Sequence, residues 1–209
     1  CGVHFMAETA YILNPQKKVL LPVKEAGCPM ADMVTTAEVK AKKREYPDAP
    51  VVCYVNTSAA VKAESDICCT SRNAVEIVRS LEEKRVIFVP DKNLARYVQT
   101  QAPEKEIIMP EGFCPTHIRV HPEQVRIAKA LYPKAEFVAH PECNPDVLKL
   151  ADNISSTGGM LEYVKKSNAK EFIIGTEIGM LYRLKQENPD KRFYVPTDTL
   201  ICESMKLTT

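Results

Sequence analysis

The sequence predicts an α/β protein built as a pseudo-threefold repeat of three-layer α/β/α units around short parallel sheets, with the first unit incomplete. Three observations lead there. A short apolar run ending at proline, with a cysteine a few residues on, occurs three times. Lys18-Val19-Leu20-Leu21-Pro22 precedes Gly27-Cys28-Pro29-Met30, Ile107-Ile108-Met109-Pro110 precedes Gly112-Phe113-Cys114-Pro115-Thr116-His117, and Arg192-Phe193-Tyr194-Val195-Pro196 precedes Ile201-Cys202-Glu203-Ser204-Met205-Lys206. The cysteine spacings are nearly constant, 114 − 28 = 86 and 202 − 114 = 88, as duplicated units require. The apolar runs are also continuous rather than alternating, which is how strands read when helices cover both faces of a parallel sheet.

The elements follow in order. Residues 2–5 read as the end of a strand leading into a helix with apolar Met6, Ala10 and Leu13. A strand after Lys17, the Cys28 loop and a helix over 36–45 complete the remnant of the first repeat, residues 1–45. Tyr46-Pro47-Asp48-Ala49 opens the second repeat, 46–131, and Tyr132-Pro133-Lys134-Ala135 opens the third, 132–209, again 86 residues later. The same shift lays Val51-Val52-Cys53-Tyr54-Val55-Asn56 on Phe137-Val138-Ala139-His140-Pro141-Glu142, and Asp66-Ile67-Cys68-Cys69-Thr70-Ser71 on Asp152-Asn153-Ile154-Ser155-Ser156-Thr157. It also lays Val86-Ile87-Phe88-Val89-Pro90-Asp91 on Phe172-Ile173-Ile174-Gly175-Thr176-Glu177. Helices are expected over 73–83 and 93–101, and Cys68-Cys69 as buried strand residues. The first-repeat counterpart of Tyr54 falls at 54 − 86 = −32, so the chain reads as a piece of a longer one.

Composition removes several classes of function. With 209 residues, 45% of them hydrophobic, the chain can bury a core. Its 28 basic and 27 acidic residues leave a net charge of +1, without the footprint of a nucleic-acid binder. The basic run Lys40-Ala41-Lys42-Lys43-Arg44 reads as a solvated helix face. No apolar run is long enough to span a bilayer. The eight cysteines lack the crowding of a secreted, disulfide-stapled domain and no signal peptide precedes them, so reduced thiols in the cytoplasm are expected. Cys1-Gly2 is read as part of an element, not as a lipidated terminus.

Ligands of parallel sheets sit beyond the carboxyl ends of the strands. The polar residues expected there are Tyr54, Asn56, Ser71, Asp91, His140, Glu142, Thr157 and Glu177, and each of the three cysteines also follows a strand end. If the repeats face inward, these groups converge on one cavity. No Cys-x-x-Cys pair of the kind that holds zinc is present. Three thiolates from three repeats suit a [4Fe-4S] cluster with one open iron, able to polarise a substrate oxygen, although on spacing alone the cysteines read equally as small buried hydrophobes. His117, His140 and Glu142 add acid and base groups, and alternation along a strand places His140 and Glu142 on one side. Ser71 and Thr157 bring hydroxyls to helix starts, suited to an anion or to capping; capping is the reading for Ser71.

The chain resembles the quinolinate synthase family, the iron-sulfur enzymes of NAD biosynthesis, along essentially its whole length. The motifs are Gly2-Val3-His4-Phe5-Met6-Ala7-Glu8, Gly27-Cys28-Pro29-Met30-Ala31, Tyr54-Val55-Asn56, Thr70-Ser71-Arg72-Asn73-Ala74, Pro90-Asp91-Lys92-Asn93-Leu94, Gly112-Phe113-Cys114-Pro115-Thr116-His117, His140-Pro141-Glu142-Cys143, Ser156-Thr157-Gly158-Gly159-Met160, Gly175-Thr176-Glu177-Ile178-Gly179-Met180, and Cys202 with Met205-Lys206. The resemblance implies a [4Fe-4S] cluster on Cys28, Cys114 and Cys202, and condensation of iminoaspartate with dihydroxyacetone phosphate to quinolinate with release of phosphate and water. It implies Tyr54, Asn56, Ser71, His140, Glu142 and Thr157 as substrate-binding residues and His117 as an active-site histidine. Glu142, His140, Tyr54 and His117 are the expected catalytic set, with Glu142 moving protons. L-aspartate oxidase or aspartate dehydrogenase is the implied supplier of iminoaspartate. It further implies family segments before Cys1, with a His-Asn-Tyr motif, and a helical segment after Lys206.

Two readings of other classes compete. A non-catalytic iron-sulfur sensor of oxygen or redox state would not need Tyr54, Asn56, His140, Glu142 and Thr157 at matched strand ends. A cluster-free binding module for phosphorylated metabolites would hold no iron or sulfide.

Overall fold

The computed structural model describes residues 1–208. Along the chain run α1 (His4–Leu13), α2 (Thr36–Glu45), β1 (Val51–Tyr54), α3 (Ala59–Ala63), β2 (Ile67–Cys69), α4 (Ala74–Ser80), β3 (Arg85–Val89), α5 (Lys92–Gln101) and β4 (Glu106–Ile108). Then come α6 (Pro122–Leu131), β5 (Glu136–Ala139), α7 (Pro145–Leu148), β6 (Asn153–Ile154), α8 (Thr157–Lys166), β7 (Glu171–Gly175), α9 (Met180–Glu187), β8 (Arg192–Tyr194) and α10 (Glu203–Lys206). Single 3-10 turns at Ala31–Met33 and His117–Arg119 lead into α2 and α6. The chain divides into two compact units, one of Cys1–Cys114 with the tail from Cys202, the other Pro115–Ile201.

Each unit carries one all-parallel sheet of four strands, in the order β2-β1-β3-β4 and β6-β5-β7-β8. The orders are the same when β1 is matched to β5. In the first sheet, Val52 and Tyr54 pack with Val78, Leu94 and Val98 on one face. Val51 and Cys53 pack with Val39 and Val61 on the other. All four residues of β1 are therefore buried, which explains its unbroken apolar run. In the second sheet, Val138, Phe172, Ile174 and Phe193 pack with Met160, Val164 and Leu184.

The duplication extends to single hydrogen bonds. The Val51 N–H donates to Asp66 Oδ2 at 2.8 Å, and Lys43 Nζ donates to Asp66 Oδ1 at 2.9 Å and to the Glu64 carbonyl at 3.3 Å. Eighty-six residues on, the Phe137 N–H donates to Asp152 Oδ2 at 2.7 Å, and Lys129 Nζ donates to Asp152 Oδ2 at 2.9 Å and to the Leu150 carbonyl at 3.1 Å. In both repeats a lysine and an aspartate pin the start of the central strand to the loop before its neighbour. Lys105 donates to the carbonyls of Leu81 and Glu83, and Lys191 to those of Val164 and Ser167, cations at the ends of α4 and α8 where carbonyls lack helical partners.

One kind of helix end recurs along the chain, at α2 and α6 and at three further helices. α1, α5 and α9 end on Asn14, Ala102 and Asn188 with φ/ψ of −142/66, −121/66 and −139/68. In each case the cap carbonyl accepts from the N–H three residues later, in Lys17, Lys105 and Lys191. The helix expected at 36–45 is α2, closed at its start by Thr35 and Glu38, each side chain accepting from the other's N–H.

Four expectations need correction. Residues 2–5 form no strand: Val3 is the extended cap of α1, which starts at His4, and Val3 and Phe5 are buried against Ala26 and Ala31. The apolar run after Lys17 is also not a strand, and Leu20 is 68% exposed. A strand needs a neighbour to take its backbone groups, and none lies beside this run among the described residues. The helix expected over 73–83 ends at Ser80, because Leu81 turns extended and gives its carbonyl to Lys105. Cys68 is exposed rather than buried, since β2 is an edge strand whose alternate side chains face opposite sides.

Candidate functional site

In the unit of residues 1–114 with the tail from Cys202, the loop that carries Cys114 is fixed by Asp91. This carboxylate is fully buried at the end of β3; its Oδ1 accepts from the Leu94 N–H at 2.7 Å, capping α5, and its Oδ2 accepts from the Cys114 N–H at 2.9 Å. A parallel bridge joins Asp91 to Gly112, and the Lys92 N–H donates to the Gly112 carbonyl at 2.8 Å. A Cβ on Gly112 would stand 2.5 Å from the Pro90 carbonyl oxygen, so only glycine admits this approach. Cys28 and Cys114 are half-buried and pack against the same apolar cluster, and Cys202 is half-buried at the cap of α10. Among the described residues no cysteine is in a disulfide.

Tyr54 is the buried last residue of β1, with Asn56 two residues beyond, partly exposed. Thr57 donates its hydroxyl to the Tyr54 carbonyl at 3.1 Å and tightens this turn. Ser71 stands in the turn after β2. It is not the cap of α4: that position is Asn73, whose side-chain oxygen accepts from the N–H and hydroxyl of Thr70. The Asn73 side chain, taken up by Thr70, makes no capping hydrogen bond to α4.

In the unit 115–201, three of the expected residues meet. His140 follows β5, and its N–H donates to the Gly175 carbonyl at 3.1 Å. The Cys143 N–H returns to the His140 carbonyl at 2.9 Å, so His140 and Glu142 lie in a turn past the strand, not on it. Strand alternation is therefore not what brings them together. The turn does so: Glu142 Oε2 lies 3.6 Å from His140 Nδ1 and 2.7 Å from His117 Nδ1. The His117 and His140 rings stack with centroids 4.6 Å apart. His117 Nε2 is 2.9 Å from the hydroxyl of Thr176, and all four residues are buried.

Burial pushes His140 down to about 4, with Glu142 pulling the other way and His117 adding to the fall. At neutral pH His140 is thus an uncharged imidazole, beside a carboxylate within hydrogen-bond reach of a second imidazole. Such a group can orient a polar substrate atom and move a proton between carboxylate and imidazole.

Thr157 is the exposed first residue of α8, while the cap is Ser156, which accepts from the Gly159 N–H at 3.2 Å. Gly159 is another position that needs glycine, since a Cβ there would stand 2.8 Å from that of Ser155. Two residues outside the expected substrate-binding and catalytic sets fix these elements, one in each unit: Asp91 holds the Cys114 loop and Thr176 contacts His117. Asp91 is legible in the sequence as a polar strand end. Of the neighbours Thr176 and Glu177, the sequence favours Glu177, which instead accepts from the Gly179 N–H at 2.7 Å. The signal for Thr176 was a hydroxyl at the first position past an otherwise apolar buried strand.

The sequence profile of the family described as quinolinate synthetase A protein matches residues 1–209. A protein named quinolinate synthase from Alkaliphilus metalliredigens is 58% identical over 208 residues, covering all of this chain and 69% of the relative. Its namesake from Geobacter sp. strain M21 is 58% identical over 208 residues, 68% of that protein. The quinolinate synthase of Caldicellulosiruptor saccharolyticus is 55% identical over 209 residues, 69% of its length.

Proposed function

The chain belongs to the quinolinate synthetase A family, and on that premise we propose that it carries catalytic residues of a quinolinate synthase, which condenses iminoaspartate with dihydroxyacetone phosphate and releases phosphate and water. The observation that carries this reading is the buried carboxylate of Glu142, 2.7 Å from His117 and beside an uncharged His140. Enamine formation and dehydration both need a group that takes a proton from carbon or nitrogen and returns it to a departing hydroxyl. Glu142 is that group, with its carboxylate oriented by His117. His140, stacked on His117, holds a substrate carboxylate or hydroxyl without adding charge.

In the other unit, Tyr54, Asn56 and Ser71 bind and orient polar groups of the substrate. Thr157, exposed where the N–H groups of α8 begin, is assigned to the phosphate or a carboxylate.

Cys28, Cys114 and Cys202 are proposed as ligands of a [4Fe-4S] cluster. The donor set fits: three half-buried thiols in one compact unit, whose boundaries fall directly after Cys114 and directly before Cys202. When bound, the cluster supplies a Lewis-acidic iron not occupied by protein sulfur.

The test is anaerobic purification with iron and sulfide analysis, followed by detection of quinolinate from the two substrates. Glu142→Gln is expected to keep the visible absorption of the cluster and to lower turnover by at least about a hundredfold, the usual worth of a positioned acid or base. Cys114→Ser is expected to lose that absorption. Unchanged turnover in Glu142→Gln would remove the residue from the chemistry. A cluster that responds to oxygen while no quinolinate forms would favour a sensor.

A further inference from the structure

Two cysteines with no part in that chemistry lie side by side in the first sheet. Cys53 on β1 and Cys68 on β2 are Cα partners across a parallel pair, so both side chains leave the same face. Neighbouring strands run about 4.8 Å apart, inside the Cα separations of roughly 4.4–6.8 Å that a disulfide bridges. Cys69, although next in the chain, faces the opposite side and packs with Val52 and Tyr54. The ladder therefore selects Cys53 and not Cys69 as the neighbour of Cys68.

The two thiols differ in access. Cys53 is fully buried among Val51, Val61 and Ile87, its sulfur 3.0 Å from the Thr57 hydroxyl. Cys68 is exposed on the edge strand. The Lys62 ammonium donates to the Thr57 carbonyl. Burial pushes the Cys53 thiol up, with the Thr57 hydrogen bond only partly opposing it, so the exposed Cys68 is the sulfur that a small-molecule disulfide meets first.

The second repeat shows that the fold does not require this pair. The positions 86 residues on, Ala139 and Ile154, are likewise Cα partners across β5 and β6. Alanine and isoleucine satisfy the packing there, so the thiols at 53 and 68 are chemistry added to an apolar position.

We propose that Cys53 and Cys68 form a redox-responsive dithiol that closes into a cross-strand disulfide by exchange with a small-molecule disulfide. The Cys68 thiolate attacks one sulfur of RS–SR, giving Cys68–S–SR and releasing RS⁻. Cys53 passes its thiol proton to that RS⁻ and displaces the second RS⁻, which takes a proton from solvent. Two protein thiols are oxidised and one small disulfide is reduced to two thiols. The bridge ties the edge strand to β1 one residue before Tyr54, so the redox state acts on the strand end that carries Tyr54 and Asn56.

The test is anaerobic incubation with oxidised glutathione, acid quench, alkylation, and intact-mass and peptide mapping. The expected product is lighter by two hydrogens, contains a Cys53–Cys68 peptide, and reverts with dithiothreitol. Cys53→Ala is expected to trap glutathione on Cys68. The double variant C53A/C68I, which copies the residues of the second repeat, is expected to keep the native far-UV spectrum and to form no bridge in this sheet. Glutathione retained on Cys68 of the unsubstituted protein, a bridge from Cys68 to any other cysteine, or no reaction at Cys68 would each overturn the proposal.

Discussion

At the end of β3 a single buried carboxylate serves two stretches of backbone, capping α5 through Leu94 and holding the cysteine loop through Cys114. Removing it strips the helix of its cap, worth about 1 kcal/mol, and leaves the Cys114 N–H without a charged acceptor, worth about 1.5–3 kcal/mol. Asp91→Ala is therefore expected to cost about 2.5–4 kcal/mol in urea denaturation, and Asp91→Asn less, because its amide oxygen can replace one acceptor. A loss below about 0.5 kcal/mol would mean that other contacts hold the loop. The dipeptide Pro90-Asp91 was visible in the sequence, and so was an aspartate before a helix. That its second oxygen reaches a residue 23 positions away was not, because side-chain range along the chain says nothing about a contact made through folding. His117 and Glu142 meet for the same kind of reason, across 25 residues, by way of a turn that strand periodicity does not describe.

The two sheets supply an internal control at the level of elements. Arg85 on β3 is the register partner of Glu106 on β4, at 3.4 Å; in the second sheet Glu171 on β7 is the partner of Arg192 on β8, at 3.7 Å. The charges have exchanged strands while the pairing is kept. Arg85→Glu alone places like charges opposite each other, and is expected to cost roughly 0.5–1 kcal/mol by denaturant midpoint. Adding Glu106→Arg, which copies the second sheet, is expected to restore most of it. A double variant as weak as the single one would show that the Asp48 and Tyr46 contacts of Arg85 matter more than the cross-strand pair. The inner strands β1, β3, β5 and β7 were legible because burial on both faces writes an unbroken apolar run. The run after Lys17 is written in the same way yet forms no strand, since a strand is a property of a pair.

Over the whole molecule, His140 sets a direction for the response to acid. Its folded pKa of about 4 lies below the ordinary 6.5. Between these values the unfolded chain binds a proton that the folded chain refuses, so stability is expected to fall as pH drops from 6.5 towards 4, by at most about 1.4 kcal/mol per unit. Burial alone would raise Asp66, but the Val51 N–H and the Lys43 ammonium outweigh it and hold the carboxyl below its ordinary 3.8. Its contribution is present above that value and is lost only as pH falls further, outside the window of His140. Urea titrations at pH 7, 6 and 5 check this, with His140→Asn expected to flatten the slope. An unchanged slope in the variant would assign the acid response to other groups. No helix among the described residues is long and apolar enough to cross a membrane.

The sequence by itself determined the α/β class, the 86-residue repeat and the place of each cysteine after an apolar run, because these are periodic patterns and periodicity is local. Only the three-dimensional structure decided that the Asn73 oxygen turns back to Thr70, that Ser156 and not Thr157 caps α8, that Cys68 faces outward, and that Thr176 stands behind His117. The first two are choices among neighbouring polar groups within one turn, whereas the last two depend on which distant strand or side chain comes alongside, and that proximity is created when the sheet assembles.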